Sequence, residues 1–190
     1  MTFPSAVLTL DDARAAGLRK DQVYRMVENG ELERVARGVF VRPDRIDPTL
    51  VPLAAATALR PQATMCLTSA LVHHGLSDAI PFGPDIALPR GNRRPAGFDH
   101  VTWHSFDPAT FEVGRLRLED TDDLKLWVYS AERTIVDSFR LAHREGLDAA
   151  HTALRRWVRQ RGNSPAALLA TARAFPRSVP RIRQALEILL

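Results

Sequence analysis

The feature that most constrains this chain is the punctuation of its first 45 residues. Thr9-Leu10-Asp11-Asp12 has the spacing of a capping box, in which a hydroxyl satisfies an early helix amide and an acid three residues on reaches back. Here Asp stands in for the commoner Glu. Gly17, Asn29-Gly30 and Gly38 then stop the chain at short intervals. Between these marks the three-and-four spacing of apolar residues predicts a helix over 10–16, with Leu10 and Ala13 inward. It predicts a second over 20–29, with Val23, Met26 and Val27 on one face. Leu32–Val35 and Val39–Arg42 read as two strands joined by Ala36-Arg37-Gly38, a small hairpin. Pro43 and Pro48 follow, so a first domain is expected over 1–47 and a second over 48–190.

A capped helix, a glycine turn, a second helix and a hairpin are the parts of a winged helix-turn-helix. The major groove admits one helix, and the preceding helix braces it against the sugar-phosphate backbone. Such a helix is apolar on one side and carries hydrogen-bonding groups on the other. Arg19, Lys20, Gln22 and Arg25 point away from the apolar face, with Arg and Lys suited to guanine edges and Gln to adenine. Tyr24 suits a phosphate or a base. Arg34, Arg37 and Arg42 sit on or beside the hairpin, placed for phosphates or the minor groove. A bracing helix usually precedes the pair. Residues 1–8 are too short for one and contain Pro4, so either the start is abbreviated or another segment fills that place.

Beyond Pro48, 50–59 and 63–74 read as two mostly buried helices parted by Arg60-Pro61. Strands are expected over 85–88, 98–106, 111–118 and 125–129, with a basic loop, Pro89–Pro95, carrying Arg90, Arg93 and Arg94. Val101, Trp103 and Ser105 fall on one strand face and His100, Thr102 and His104 on the other. Helices are expected over 131–144, 147–161, from the Ser164-Pro165 start, and to the chain end. The fold class is thus α+β: a winged helix-turn-helix, then a larger mixed α/β domain ending in a helical bundle.

The net charge of +4 is unevenly spread. Residues 1–45 carry +1, 46–139 carry −4 and 140–190 carry +7. The basic surplus makes nucleic acid a reasonable partner without proving it. In the last segment Arg155, Arg156, Arg159 and Arg161 lie largely opposite Leu154 and Trp157-Val158. They suit an acidic partner surface or phosphates; a solvated helix face is the plainer reading. The single cysteine, Cys66, rules out an internal disulfide, and no basic stretch followed by an apolar run opens the chain. No run of about 18 apolar residues exists, so a cytoplasmic protein that does not cross a membrane is expected.

Three segments carry a family resemblance. Gly30-Glu31-Leu32-Glu33-Arg34-Val35-Ala36-Arg37-Gly38-Val39-Phe40 resembles the G-x-L-x-R-x-x-R-G-V-Y hairpin of AbiEi-type antitoxins, with Phe40 in place of the common Tyr. Thr68-Ser69-Ala70-Leu71-Val72-His73-His74-Gly75-Leu76 is similar to that family's S-A-L-x-x-H-G-L segment. Ser130-Ala131-Glu132-Arg133-Thr134-Ile135-Val136-Asp137 looks like its R-T-L-V-D helix start. The resemblance implies a type IV toxin-antitoxin antitoxin that represses its own operon, with operator DNA, often as inverted repeats, as one partner. The second implied partner is a cognate nucleotidyltransferase-like toxin, countered directly or without a stable complex. On this reading Arg19, Lys20, Gln22, Arg25 and the hairpin arginines recognise the operator, and 48–190 carries neutralisation.

Signs of catalysis are thin, and no enzyme, cofactor or metal is expected. Pro84-Asp85 and Asp123-Leu124-Lys125 formally match the P-D…D-x-K pattern of restriction-type nucleases, which sets two carboxylates on a metal and a lysine near the attacking water. A metal-dependent nuclease is therefore the alternative function. His73 and His74 diverge by about 100° on a helix, and His100 and His104 would lie about 13 Å apart on a strand, too far to share an ion. Ser69 near His73 lacks a third orienting group. Trp103, Trp127 and Trp157 read as core anchors.

Overall fold

The computed structural model describes residues 5–118 and 124–189. Its first sheet has the order β1-β3-β2, all antiparallel: β1 Val7–Thr9, β2 Glu33–Ala36 and β3 Val39–Val41. Helices α1 (Leu10–Ala15) and α2 (Lys20–Glu28) separate β1 from β2. The Thr9 capping box forms in full: the Asp12 amide donates to the Thr9 hydroxyl at 3.1 Å and the Thr9 amide to the Asp12 carboxylate at 2.9 Å. Strand β1 is absent from the sequence expectation, because three residues running straight into a helix cap show no readable alternation.

This small sheet is covered on both faces. Leu8 pairs with Phe40 and Val7 with Val41, and opposed residues share a face. Leu8 and Phe40 join Ala13, Val23 and Leu32 on the side of α1 and α2. Val7, Val39 and Val41 join Leu53 to Ala56 of α3 (Val51–Leu59) on the other. Two-sided burial explains why all three residues of β3 are buried. A bulge between Arg34 and Ala36 lets the consecutive Val35 and Ala36 both meet the α3 side. Helix α3, apolar nearly all round, packs on β1, β2 and β3 and also on the second sheet. A segment after the hairpin thus braces the small sheet, from the face opposite α1 and α2. One core joins Ala36 and Val39 to Ile86, Leu88, Phe98 and Val128, across the expected boundary at 47/48.

The second sheet has the order β6-β5-β4-β8-β7: β4 Thr64–Met65, β5 Asp85–Pro89, β6 Thr102–Phe106, β7 Arg115–Arg117 and β8 Trp127–Tyr129. β4 runs antiparallel to β5 and parallel to β8, and β5 runs parallel to β6. The helix expected over 63–74 is corrected here. Thr64 and Met65 are strand, and α4 starts at Leu67 and ends at His73. Mid-sheet ladder bonds override the helical propensity of an Ala- and Leu-rich run. The strand expected over 111–118 shortens to β7, because 111–114 form a turn ending at Gly114 (φ +67°). That expected over 98–106 keeps only its second half as β6.

Helices α5 (Ala131–Arg140), α6 (Ala142–Glu145), α7 (Leu147–Arg159), α8 (Pro165–Ala172) and α9 (Val179–Leu189) complete the described chain. α5 packs on α4, α7, α8 and α9. Ile135, Val136, Phe139, Leu154, Trp157, Leu168 and Ile182 share their core. Trp157 is fully buried; Trp103 and Trp127 are only half-buried.

The two later motif segments are tie points of this fold. The Ser69 hydroxyl accepts the Asp85 amide at 2.8 Å. His74 Nε2 donates to the Tyr129 carbonyl at 2.7 Å, fastening α4 to β8. Buried Arg133 donates to Asp137 at 2.9 Å and to the carbonyls of Thr110 and Val113 at 2.7 and 2.6 Å. Arg140 donates to the other Asp137 oxygen at 2.9 Å.

Candidate nucleic-acid interface

Helix α2 begins at Arg19, whose extended backbone serves as N-cap. The Arg19 amide donates to Gln22 Oε1 at 2.8 Å, so Gln22 supplies half of a capping box. That bond uses one of the two lone pairs of the half-buried Gln22 carbonyl oxygen, beside an NH2 that can only donate. Of the helix, only Val23 is buried. Tyr24 is half-buried, edge-on to Phe40 at 5.8 Å, with the Lys20 ammonium 5.8 Å from its ring. Arg19 and Arg25 both reach Asp21, at 3.1 and 3.3 Å, with side chains 74 % and 65 % exposed. Both guanidiniums therefore stand in solvent, held by an exposed carboxylate whose hold is weak and screened by salt.

The hairpin arginines are spread out. Arg34 lies on β2 opposite Phe40 and is exposed. Arg37 is exposed at the tip, beside Gly38, whose positive φ of 74° makes the turn. The Gly38 carbonyl accepts the Leu10 amide at 3.1 Å, tying the tip to the start of α1. Arg42 is half-buried at the far end of β3, its amide donating to the Ala6 carbonyl at 2.9 Å. The turn at Gly38 and the three residues of β3 separate Arg37 from Arg42. The fold thus gathers Arg19, Lys20, Gln22, Tyr24 and Arg25 on one helix and puts Arg37 and Arg42 at opposite ends of the sheet.

Among the C-terminal arginines, Arg155, Arg159 and Arg161 are exposed on or just past α7. Arg156 is engaged: it donates to the exposed Asp78 carboxylate with both terminal nitrogens, one at 2.9 Å, an ion pair between α7 and the 77–84 segment. That contact holds the Asp78 carboxyl below the ordinary aspartate range. A groove of about 600 Å³ lined by Phe139, Arg140, Phe175, Arg177 and Arg181 adds a basic surface the sequence reading did not single out. The four-residue spacing of Arg177 and Arg181 across the start of α9 was the available signal.

Of the nuclease pattern, Asp85 and Lys125 fall among the described residues. Asp85 is buried, accepts from His104 Nε2 at 2.9 Å and lies within bonding distance of the Ser69 amide and hydroxyl. Lys125 is exposed ahead of β8, a strand separated from β5 by β4. Asp123 lies outside the described residues. Among the described residues no group of three His, Cys, Asp or Glu is placed to hold a metal ion. His73 and His74 meet edge-on at 5.1 Å, and the second is spent on Tyr129. Burial pushes the Cys66 thiol well above its usual pKa, which suits a packing role. No described helix is long and apolar enough to cross a membrane.

No curated protein matches the chain. A family model does match, over 38 of its 190 residues, so it speaks for the first sheet and its two helices. Residues 6–43, running from just before β1 to just past β3, match the family described as transcriptional regulator, AbiEi antitoxin, the family that the hairpin motif resembles.

Proposed function

We propose that this protein is the antitoxin of a toxin-antitoxin pair that represses its own operon. Residues 1–47 act as a winged helix-turn-helix, with α2 in the major groove and the β2–β3 hairpin on the neighbouring backbone. Arg19, Lys20, Arg25 and the Gln22 amide read base edges, and Tyr24, Arg34, Arg37 and Arg42 position the domain on phosphates. The observation that carries this reading is the exposure of Arg19, Lys20 and Arg25 on a helix that buries only Val23, in a segment matching a regulator family. A three-stranded sheet backed by α3 gives that helix a rigid base.

Residues 48–190 counter a nucleotidyltransferase-like toxin, and Arg155, Arg159 and Arg161 are the groups offered to it. Arg156 reaches the same partner by exchanging its exposed ion pair with Asp78.

Nuclease footprinting of the DNA upstream of its own coding sequence tests the regulatory half. Wild type should protect a discrete, inverted-repeat stretch, and Arg25→Ala should lose that protection at equal protein concentration. An unprotected upstream region sinks the reading. Co-expression with the toxin tests the other half: Arg155→Ala/Arg159→Ala/Arg161→Ala should fail to rescue growth while the protein stays folded and still footprints.

A further inference from the structure

A second basic element meets the hairpin from a distant part of the sequence. The loop Arg90–Gly97 leaves β5 and carries Arg90, Arg93 and Arg94 with no acidic residue, inside a region whose net charge is −4. It is built to hold its shape. The Asn92 amide donates to the Pro89 carbonyl at 3.0 Å and its side chain to Gln62 Oε1 at 2.8 Å. Arg60 Nε donates to the Arg93 carbonyl at 2.8 Å, and the Arg90 amide to the Phe106 carbonyl at 2.7 Å. At its far end the loop touches the hairpin tip: a methyl group added to Gly97 would sit 3.6 Å from the Arg37 backbone nitrogen and 4.0 Å from the Ala36 Cβ. Phe98 then buries itself in the core shared with Ala36 and Val39. The loop backbone is therefore pinned at both ends while Arg93 and Arg94 stand exposed between. Three residues of chain keep the Arg94 Cα within about 11 Å of Gly97, the residue that meets the hairpin tip.

We propose that this loop is a second arm of the DNA interface, in which Arg93 and Arg94 contact backbone phosphates beside those met by Arg37. The inference rests on the DNA-binding reading above. Its logic is electrostatic: duplex DNA carries roughly one charge per 1.7 Å of axis, so neighbouring cations on a rigid edge meet neighbouring phosphates. Arg90 lies 3.8 Å from Asp107 and is turned to that acid, so the arm is carried by Arg93 and Arg94. Contacts of this kind add affinity for every sequence and no discrimination.

The test measures fluorescence anisotropy across a salt series, with two labelled duplexes: the DNA upstream of the coding sequence and a scrambled duplex of equal composition. The proteins are wild type, Arg93→Ala/Arg94→Ala, Arg37→Ala and Arg173→Ala/Arg183→Ala. The last removes the same charge from exposed positions at the end of α8 and in α9. Arg93→Ala/Arg94→Ala is expected to weaken both duplexes by the same factor. It should also flatten the slope of log Kd against log salt by about 2, taking about 1 for each phosphate contact. Arg173→Ala/Arg183→Ala should keep the wild-type slope. A wild-type slope in Arg93→Ala/Arg94→Ala, with Arg37→Ala weakened, overturns the arm and leaves the DNA-binding reading standing. An equal loss in Arg173→Ala/Arg183→Ala also overturns it, since net charge would then account for the effect. Wild type that binds neither duplex removes the DNA-binding reading itself. Melting curves verify that each variant is folded, and Arg93→Gln/Arg94→Gln repeats the test with longer uncharged side chains.

Discussion

Two clusters of the same composition sit in different parts of this molecule. In α2, Asp21 lies between Arg19 and Arg25 at 3.1 and 3.3 Å; in α5, Asp137 lies between Arg133 and Arg140 at 2.9 Å each. The Asp21 side chain is 54 % exposed and the Asp137 side chain 1 %. That difference decides what each cluster does. An exposed pair contributes about 0–1 kcal/mol, because water competes and long side chains lose entropy. A buried carboxylate between two guanidiniums is needed by its neighbours, since its removal strands charge away from water. Arg133 is committed further, to the carbonyls of Thr110 and Val113 and to the rings of Tyr129 and Phe175 at 4.2 and 4.5 Å. Arginines of the first cluster are free to change partner; those of the second hold α5 to its surroundings. Counting arginines therefore says little until burial is known.

The largest expected effect breaks the buried cluster. Asp137→Ala should cost about 3–5 kcal/mol, read as a lowered urea midpoint; a loss below about 1 kcal/mol would place the two clusters in one class. Next comes the turn fitted around Arg133. An alanine Cβ at Gly114 would lie 2.6 Å from the Arg133 Cβ at φ +67°, whereas at Gly30, at the end of α2, φ is +76° and the space is open. Gly114→Ala should therefore cost about 1–3 kcal/mol from strain and overpacking, and clearly more than Gly30→Ala. Equal costs would mean that only backbone conformation matters at both.

Alkaline titration sharpens the same contrast. Burial raises the Tyr129 phenol above its ordinary value of 10.0. The folded state thus keeps a proton that the unfolded chain gives up. The associated stability is complete below pH 10 and declines as pH rises beyond it. Wild type should lose stability above pH 10, and Tyr129→Phe should show a shallower decline; identical alkaline branches would speak against it. The smallest effect belongs to the exposed cluster. Asp21→Ala should change stability by less than about 1 kcal/mol and tighten DNA binding, because it removes a carboxylate that competes with phosphate.

What was legible in the sequence follows the same division. The Thr9 cap, the Gly17 and Asn29-Gly30 stops and the hairpin are local, and local chemistry writes itself into residue order. The outward set of α2 followed from helical period. Strand β1 is too short to show a period, and Thr64-Met65 sit in a run whose composition favours helix while their neighbours in the sheet lie far along the chain. Arg133 and Asp137 stood at ion-pair spacing, yet nothing local distinguishes a buried pair from a solvated one. The separation of Arg37 from Arg42 needed the sheet, and the approach of Gly97 to Arg37 joins residues sixty positions apart. The partners of Asp85 in the nuclease pattern could not be read either, since its bonds to His104 and Ser69 appear only once β5, β6 and α4 are packed.

The most direct test takes Arg25→Ala and reads two quantities from the same preparation: the melting temperature, and the ratio of Kd for scrambled duplex to Kd for the upstream duplex. An exposed arginine freed for DNA predicts a melting temperature within about 2–4 °C of wild type, the shift that about 1 kcal/mol produces at this size, and a ratio that falls at least tenfold toward one. An unchanged ratio, or a collapse in melting temperature of the kind expected for Asp137→Ala, would contradict the division of labour between the two clusters.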